Sequence, residues 1–338
     1  MSSNFWQDYH FRIEPWGTDY DSPIDIQESV PDNTVDPNVE GGDWVKRKLT
    51  YEPTLPKKII FIDGRRRLDA RFLGRQGNEV LYGAFATIAV GAVVINLTNS
   101  TASFWPPIIR RTIALGGNCT APVTNIPCPL GTRAQLTYDL CLTAPDNEPQ
   151  TPLSLVQTAM LEQEAKFAMQ FAGEPEVLII RDGPLLHQSY KVPESTLGYV
   201  KTMGLAYLPD DYAKLLWQLD IGERTPIFAI GQAGNPNRRW SWYLRSGQSN
   251  LNPKLLGYHD LQGLVRLDLH SEVPITRAIK IAELSSYLIP QYASHPSRDS
   301  RAPQNLTPVG GLEKELGRWM GNKAVIERRL RSFFAQLG

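Results

Sequence analysis

Two short apolar segments of this chain each end in Asp-Gly, and no other feature constrains the fold as much. Residues 57–64 read KKIIFIDG, and residues 176–183 read EVLIIRDG. Apolar, β-branched runs of this length are typical of buried strands. Two such strands lying side by side would bring Asp63 and Asp182 close together. Because carboxylate oxygens bind Mg²⁺ and Mn²⁺, the pair predicts a divalent-cation site for phosphoryl transfer; two ordinary turns are the alternative.

A helix is predicted between the two strands, over residues 152–171. Its apolar residues recur at helical spacing on one face, and Glu164 lies in the middle of that stripe. Glu162 points to nearly the opposite side. A carboxylate on a buried face costs free energy unless it is paired or bound to a metal. We therefore expect Glu164 to be the third metal carboxylate and keep Glu162 as the alternative.

The order strand, helix, strand predicts an α/β fold with a mixed sheet core and flanking helices. Residues 57–115 read as a meander of strands. Residues 194–219, which include Lys201, are predicted to be helical in two pieces. Later strands are predicted over residues 226–232, 239–246 and 262–269, and later helices over residues 273–288, 309–320 and 322–336.

The N-terminal residues 1–50 are predicted to form an extended acidic arm, and residues 51–338 a single domain. Ten Asp and Glu face one Arg within residues 1–43, and Pro, Gly and Asn interrupt any periodicity. Burial of Trp6, Phe11 and Trp16 would anchor the arm on the body or on another subunit.

Residues 116–150 are rich in Gly, Pro, Asn and Thr, and this composition predicts an inserted loop or hairpin. They contain all three cysteines of the chain, Cys119, Cys128 and Cys141. This odd number and irregular spacing fit neither a zinc knuckle nor a disulfide framework, so we expect reduced thiols. One bridge, Cys119–Cys128 or Cys128–Cys141, is the alternative.

The formal net charge of zero does not by itself indicate nucleic-acid binding. A basic cluster, Arg65 to Arg67, nevertheless follows Asp63 directly, and it would suit a phosphate backbone; a solvated hairpin is the alternative.

No segment reaches the roughly 20 apolar residues of a membrane span. The N-terminus lacks the pattern of a signal peptide, so we expect a cytoplasmic protein.

A polar loop near the C-terminus, residues 292–306, carries further candidate groups. His295 could bind a metal or transfer a proton, and Arg298 or Arg301 could hold a phosphate bidentately. An ordered loop that only caps neighbouring backbone is the alternative. A Gly-rich phosphate loop of the Walker type is absent from the sequence, which argues against ATP hydrolysis by this chain.

Several of these segments resemble motifs of the NurA nuclease family. They are residues 61–64, 180–185, 198–202 and 242–245. The most specific match is RAPQNL at residues 301–306, continued by PVGGLE at residues 308–313. The similarity runs in order from about residue 55 to residue 321. The acidic arm and the cysteine-bearing region are not clearly covered by it.

The resemblance implies a ribonuclease H-like core, a homodimer and a divalent cation, typically Mn²⁺, with Mg²⁺ as the alternative. It implies a 5′→3′ exonuclease and single-strand endonuclease that acts on DNA with the hexameric ATPase HerA in end resection. By position, Asp63, the helix Glu and Asp182 would hold the cation. His295 would be the family's late histidine, although Ser297 competes for that place.

A mechanism follows as an expectation from these residues. Lys201 or Arg301 would neutralise charge that develops on the phosphate, and Arg65, Arg66 and Arg67 would track the DNA backbone without reading sequence. The alternative function is a DNA-clamping or translocase-regulating subunit without catalysis.

Overall fold

The structure, a computed structural model, describes residues 5–13, 34–76, 78–128, 135–185, 192–201, 207–247, 261–295 and 303–337. Within these ranges one large mixed sheet of thirteen strands dominates, and a two-stranded hairpin stands apart from it. The strands are β1 (Arg12–Ile13), β2 (Val35–Asp36), β3 (Arg47–Lys48), β4 (Lys58–Gln76), β5 (Glu79–Asn96), β6 (Thr101–Leu115), β7 (Thr124–Ile126), β8 (Leu136–Tyr138), β9 (Leu140–Thr143), β10 (Val177–Asp182), β11 (Thr196–Val200), β12 (Glu223–Arg224), β13 (Phe228–Ile230), β14 (Arg239–Arg245) and β15 (Leu264–His270).

The centre of the sheet has the order β6-β5-β4-β10-β11. The strands β4, β5 and β6 form an antiparallel meander, β10 pairs parallel with β4, and β11 pairs parallel with β10. In chain order, β4, β5 and β6 are therefore antiparallel neighbours, and β10 and β11 both run parallel to β4. This is the ribonuclease H-like arrangement. The predicted mixed α/β fold is confirmed. Antiparallel strands β15, β14 and β13 extend the sheet beyond β11.

The helices cover both faces of this sheet. They are α1 (Phe5–Asp8), α2 (Thr151–Ala168), α3 (Asp210–Ala213), α4 (Ile275–Tyr292), α5 (Thr307–Trp319) and α6 (Lys323–Gln336). The four longer helices begin and end within four residues of the predicted positions. Among the described residues, no helix is long and apolar enough to cross a membrane.

Side chains alternate between the two faces along each central strand, as the two-residue period of a strand requires. On β4, Ile59 and Phe61 belong to the core under α4 and α5, whereas Ile60 and Ile62 belong to the core under α2. On β10 the core under α4 and α5 takes Leu178 and Ile180, and the core under α2 takes Val177 and Ile179. We call these the α5 face and the α2 face of the sheet.

One region differs from its predicted structure. Residues 196–200 form strand β11, so the prediction of a helix there is wrong. All five residues of β11 are buried, and a short apolar run buried on both sides has no alternation that would distinguish a strand from a helix. Within residues 116–150, β7 and β8 form an antiparallel hairpin, in agreement with the predicted loop or hairpin, and β9 pairs parallel with β6.

The described parts of the N-terminal arm pack on the body. Phe5, Trp6 and Phe11 are buried in an aromatic cluster with Phe72 and Phe85, which confirms two of the three predicted anchors. Trp16 lies outside the described residues.

Residues 34–50 run along the other end of the sheet, where β2 pairs with β13 and β3 with β12. One buried carboxylate fixes this part of the arm. Glu40 accepts hydrogen bonds from both terminal nitrogens of Arg224, at 2.8 and 3.0 Å, and from the backbone N–H of Ile227. Burial opposes its ionisation, but these donors together with Arg47 hold the pKa of Glu40 below its ordinary value.

We predict that Glu40→Ala destabilises the protein strongly. The substitution leaves Arg224 buried without its carboxylate, a loss of about 3–5 kcal/mol in comparable buried pairs. The free energy of unfolding from urea titration measures it. Asp43→Asn, an exposed acid on the same arm, is the control and is expected to change the free energy by less than about 0.5 kcal/mol. Equal stability of the two variants would contradict the role given to Glu40.

Candidate active site

Asp63 and Asp182 lie next to each other on the α5 face of the sheet. The parallel register of β4 and β10 pairs Phe61 with Ile180 and Ile62 with Arg181, so the next residues on the two strands are the two aspartates. Asp63 is buried and Asp182 is half-buried. The pairing of β4 with β10 therefore confirms the prediction that the two Asp-Gly strands are neighbours.

Lys201 provides the positive charge of this site. It follows β11, where Tyr199 pairs with Asp182, and its Nζ donates a hydrogen bond of 2.8 Å to Asp182 Oδ2. Burial lowers the pKa of Lys201, but Asp182, Asp63 and Glu313 together raise it above its ordinary value. The lysine is therefore a cation held among carboxylates.

The Asp63 side chain is buried among other carboxylates. It is only 5% exposed, and it accepts no hydrogen bond from the described residues. Burial raises the pKa of Asp63 well above its ordinary value, and the charges of Asp182 and Glu164 raise it further, whereas Lys201 opposes the shift. A second cation near Asp63 would relieve this repulsion.

Glu164 lies on the other side of the sheet. Helix α2 packs on the α2 face, where Glu164 Oε1 occupies the space that a side chain at Gly64 would need, and the Gly64 N–H donates a hydrogen bond to it. Its Oε2 lies 3.7 Å from Nε of Arg181, also on the α2 face, and both side chains are 2% exposed. The predicted burial of Glu164 is correct, but its carboxylate does not share a face with Asp63 and Asp182.

Burial dominates the Glu164–Arg181 pair. It raises the pKa of Glu164 to about 8 and lowers the pKa of Arg181, because the mutual attraction of the two charges does not offset their loss of hydration. Glu162, the alternative ligand, is half-buried on α2. Its role as a ligand stays a prediction.

Glu313 is a carboxylate of this site that the sequence reasoning did not select. It lies on α5, is exposed, and its charge raises the pKa of both Asp63 and Lys201. Its backbone oxygen accepts a hydrogen bond of 3.1 Å from Arg65. In the sequence, the one feature that marks Glu313 is its position at the end of the PVGGLE segment. Its helical spacing does not distinguish it from other exposed residues.

The arginines after Asp63 divide between the two faces and bond to the protein itself. Arg65 and Arg67 reach over the C-terminal half of α5, where Arg67 donates to the carbonyls of Met320 and Gly321 and to Asp69. Arg66 points to α2 and donates to Gln157. Of the three, Arg65 is exposed and the other two are half-buried, and contact of these arginines with DNA stays a prediction.

The late loop is anchored close to the site at both ends. Ser294 N–H donates to the carbonyl of Asn305, and Tyr199 donates from β11 to the carbonyl of Gln304, at 2.7 Å each. His295 is exposed at the start of this loop, and its proposed role as the late histidine stays a prediction. Arg298 and Arg301 lie outside the described residues.

The donor set fits a divalent cation in part. Asp63 and Asp182 offer hard oxygen ligands, and the Asp63 carboxyl group has no hydrogen-bond donor among the described residues. Mg²⁺ is commonly held by one or two carboxylates together with waters and substrate phosphates, so this pair is enough for such a site. Within the described residues, however, no three His, Cys, Asp or Glu side chains converge as the ligands of one ion.

Comparison with known proteins gives only distant likenesses. No protein-family model and no curated protein matches the sequence. Among solved structures, the NurA nuclease from Sulfolobus solfataricus is similar with a TM-score of 0.40 and 10% identity, over 82% of this chain and 86% of that one. Endonuclease V from Bacillus subtilis is similar with a TM-score of 0.32 and 14% identity, over 80% and 86% of the two chains.

We predict that Glu164 makes the stability of the metal-free protein depend on pH. A carboxyl group whose pKa is raised on folding stabilises the protein below its unfolded pKa of about 4.5, and that contribution is lost as the pH rises through about 8. Glu164→Gln cannot ionise, so the wild type should lose stability relative to this variant between pH 5 and pH 9. Urea unfolding of both proteins in EDTA at pH 5, 7 and 9 measures the difference, and parallel pH profiles would contradict it.

Proposed function

We propose that this protein is a divalent-metal-dependent nuclease that acts on DNA. The observation that carries the proposal is the pair Asp63 and Asp182 on adjacent parallel strands, with Asp63 buried, without a hydrogen-bond donor among the described residues, and beside the Lys201 ammonium group. Buried like charges of this kind are costly in a purely structural role, and they cluster at functional sites.

Asp63 and Asp182 would hold the cation, Mn²⁺ or Mg²⁺. When bound, such an ion activates a water molecule and stabilises the leaving oxygen in phosphodiester hydrolysis. The protein's own part is to fix the two carboxylates on neighbouring rigid strands, so that their positions need no rearrangement when substrate binds.

Lys201 would act on the substrate phosphate. Its pKa is raised, so it keeps its charge at neutral pH, and its hydrogen bond to Asp182 fixes the ammonium group beside the carboxylates. A fixed positive charge in a partly buried site stabilises negative charge that develops on a phosphate better than the same charge in water.

The more specific activity that we propose rests on the resemblance of the sequence motifs to those of the NurA nuclease family. We propose on that ground a 5′→3′ exonuclease and single-strand endonuclease that works as a homodimer with a HerA-type ATPase in DNA end resection. Exposed Arg65 is the described residue best placed to meet the DNA backbone near Asp63.

One observation favours a second function, a DNA-clamping or translocase-regulating subunit without catalysis. Three converging metal ligands are absent from the described part of the chain, and Lys201 already neutralises Asp182. Such a subunit would bind DNA with or without a divalent cation.

We predict that Asp63→Asn and Asp182→Asn each abolish metal-dependent cleavage while the fold is kept. Asn fills the same space but loses the charge that binds a hard cation. Digestion of end-labelled single-stranded and duplex DNA with Mn²⁺, Mg²⁺ or EDTA measures activity, with RNA of the same sequence as a competitor.

Asp211→Asn, on the exposed helix α3, is the control and should cleave as the wild type does. Mn²⁺-dependent products that persist in Asp63→Asn would count against the site. DNA binding without any cleavage by the wild type would support the clamping function instead.

A further inference from the structure

A cavity with a volume of about 580 Å³ lies between helix α4 and the segment that leads into β4. Its floor is formed by Val177 and Leu178 at the start of β10 and by Ile281 of α4, and all three side chains are buried. Residues 51–56 form the opposite wall. The volume is within the range of about 300–1,000 Å³ that is typical of small-molecule sites. We call this feature the α4 cavity.

The α4 cavity is separate from the candidate active site. Val177 of its floor pairs with Lys58, so the cavity lies where β4 and β10 begin. Asp182 ends β10, five residues further along the strand. At the rise of an extended strand this is a separation of roughly 16 Å. A ligand of the cavity would therefore not touch the two aspartates.

Large apolar side chains line the cavity and remain exposed. Leu55 is 40% exposed and Tyr51 is 58% exposed, and both belong to the wall that faces α4. Exposed apolar groups around a concave, apolar floor are typical of binding sites. The floor is also held in place, because the backbone N–H groups of Lys57 and Lys58 both donate to the carbonyl of Glu176. An apolar ligand could thus be buried here without rearrangement of the strands.

One positive charge at the cavity is available to a ligand. Three of the four charged side chains of the lining already have a partner at 2.6 to 2.8 Å: Glu176 with Lys57, Arg277 with Glu194, and Glu283 with the Tyr51 hydroxyl. The fourth, Lys280, makes no hydrogen bond or ion pair with any described residue. The cavity therefore combines an apolar floor with a single ammonium group at its rim.

We propose that the α4 cavity binds a small amphiphilic carboxylate, with Lys280 as its counter-charge. The apolar body of the ligand would lie on Val177, Leu178 and Ile281, and its carboxylate would lie beside Lys280. A single ammonium group complements one negative charge, whereas a phosphate monoester carries nearly two at neutral pH. The proposal goes beyond the nuclease activity, since it requires neither Asp63 nor Asp182.

A displacement experiment on the full-length protein tests this site. Anilinonaphthalene sulfonate, an aromatic anion that fluoresces in apolar surroundings, is the probe, and decanoate, decanol and adenosine monophosphate are the competitors. Decanoate should displace the probe at lower concentration than decanol does, and adenosine monophosphate should not displace it. Lys280→Gln should weaken displacement by decanoate about three- to fivefold, as expected for an exposed ion pair, and should leave decanol unchanged.

Leu55→Asp tests the apolar part of the site. It removes an apolar contact and adds a like charge, so probe binding should weaken at least about tenfold. Val123→Asp, at a more exposed apolar residue outside the cavity, is the control and should bind the probe as the wild type does. Both replaced residues are exposed, and thermal unfolding followed by circular dichroism checks that both variants fold.

Each alternative outcome decides against the proposal. Probe binding that is unchanged in Leu55→Asp would place the probe elsewhere and overturn the site. Equal displacement by decanoate and decanol, or no effect of Lys280→Gln, would overturn the role of the ammonium group. Displacement by adenosine monophosphate but not by decanoate would overturn the ligand class in favour of a nucleotide. None of these results depends on whether the protein cleaves DNA.

Discussion

The parallel register of β4 and β10 is the constraint on which the site depends. Pairing of Phe61 with Ile180 and of Ile62 with Arg181 forces the next residues, Asp63 and Asp182, to lie side by side. Because neighbouring strands are about 4.8 Å apart, the two carboxylates cannot avoid each other. The next parallel pair, β10 with β11, places Tyr199 opposite Asp182 and so brings Lys201 to the same end of the sheet. The registers of β4 with β10 and of β10 with β11 therefore determine both the repulsion between Asp63 and Asp182 and the position of the Lys201 charge that partly offsets it.

The two-residue period of a strand then divides the charges between the faces. Each aspartate has a neighbour that must point the other way, Gly64 on β4 and Arg181 on β10. Gly64 has no side chain, so Glu164 of α2 can approach the strand there, and Arg181 meets it from β10. The sheet thus separates the Glu164–Arg181 pair from Asp63, Asp182 and Lys201.

Sequence reasoning predicted the parts of this arrangement that depend on local pattern. Apolar runs identified β4 and β10, and helical spacing identified α2 and the burial of Glu164. The face on which Glu164 lies could not be predicted, since an apolar stripe shows that a helix packs on a sheet but not on which side. Lys201 was assigned to a helix because β11 is buried on both faces and has no alternation. Glu313 is an exposed residue, and its proximity to Asp63 depends on how α5 crosses β4 and β5.

The position of α5 in turn depends on backbone contacts made by the motif that most resembles a nuclease family. Pro303 packs where Gly247 has no side chain, Gly263 lies against the carbonyl of Gly247, and Tyr199 holds the carbonyl of Gln304. These contacts dock the residues that lead into α5 against β11 and the ends of β14 and β15. A side chain at Gly247 would collide with Pro303, and one at Gly263 with the carbonyl of Gly247, so either would disturb this docking. The described residues 303–306 of that motif therefore hold the start of α5 against the sheet.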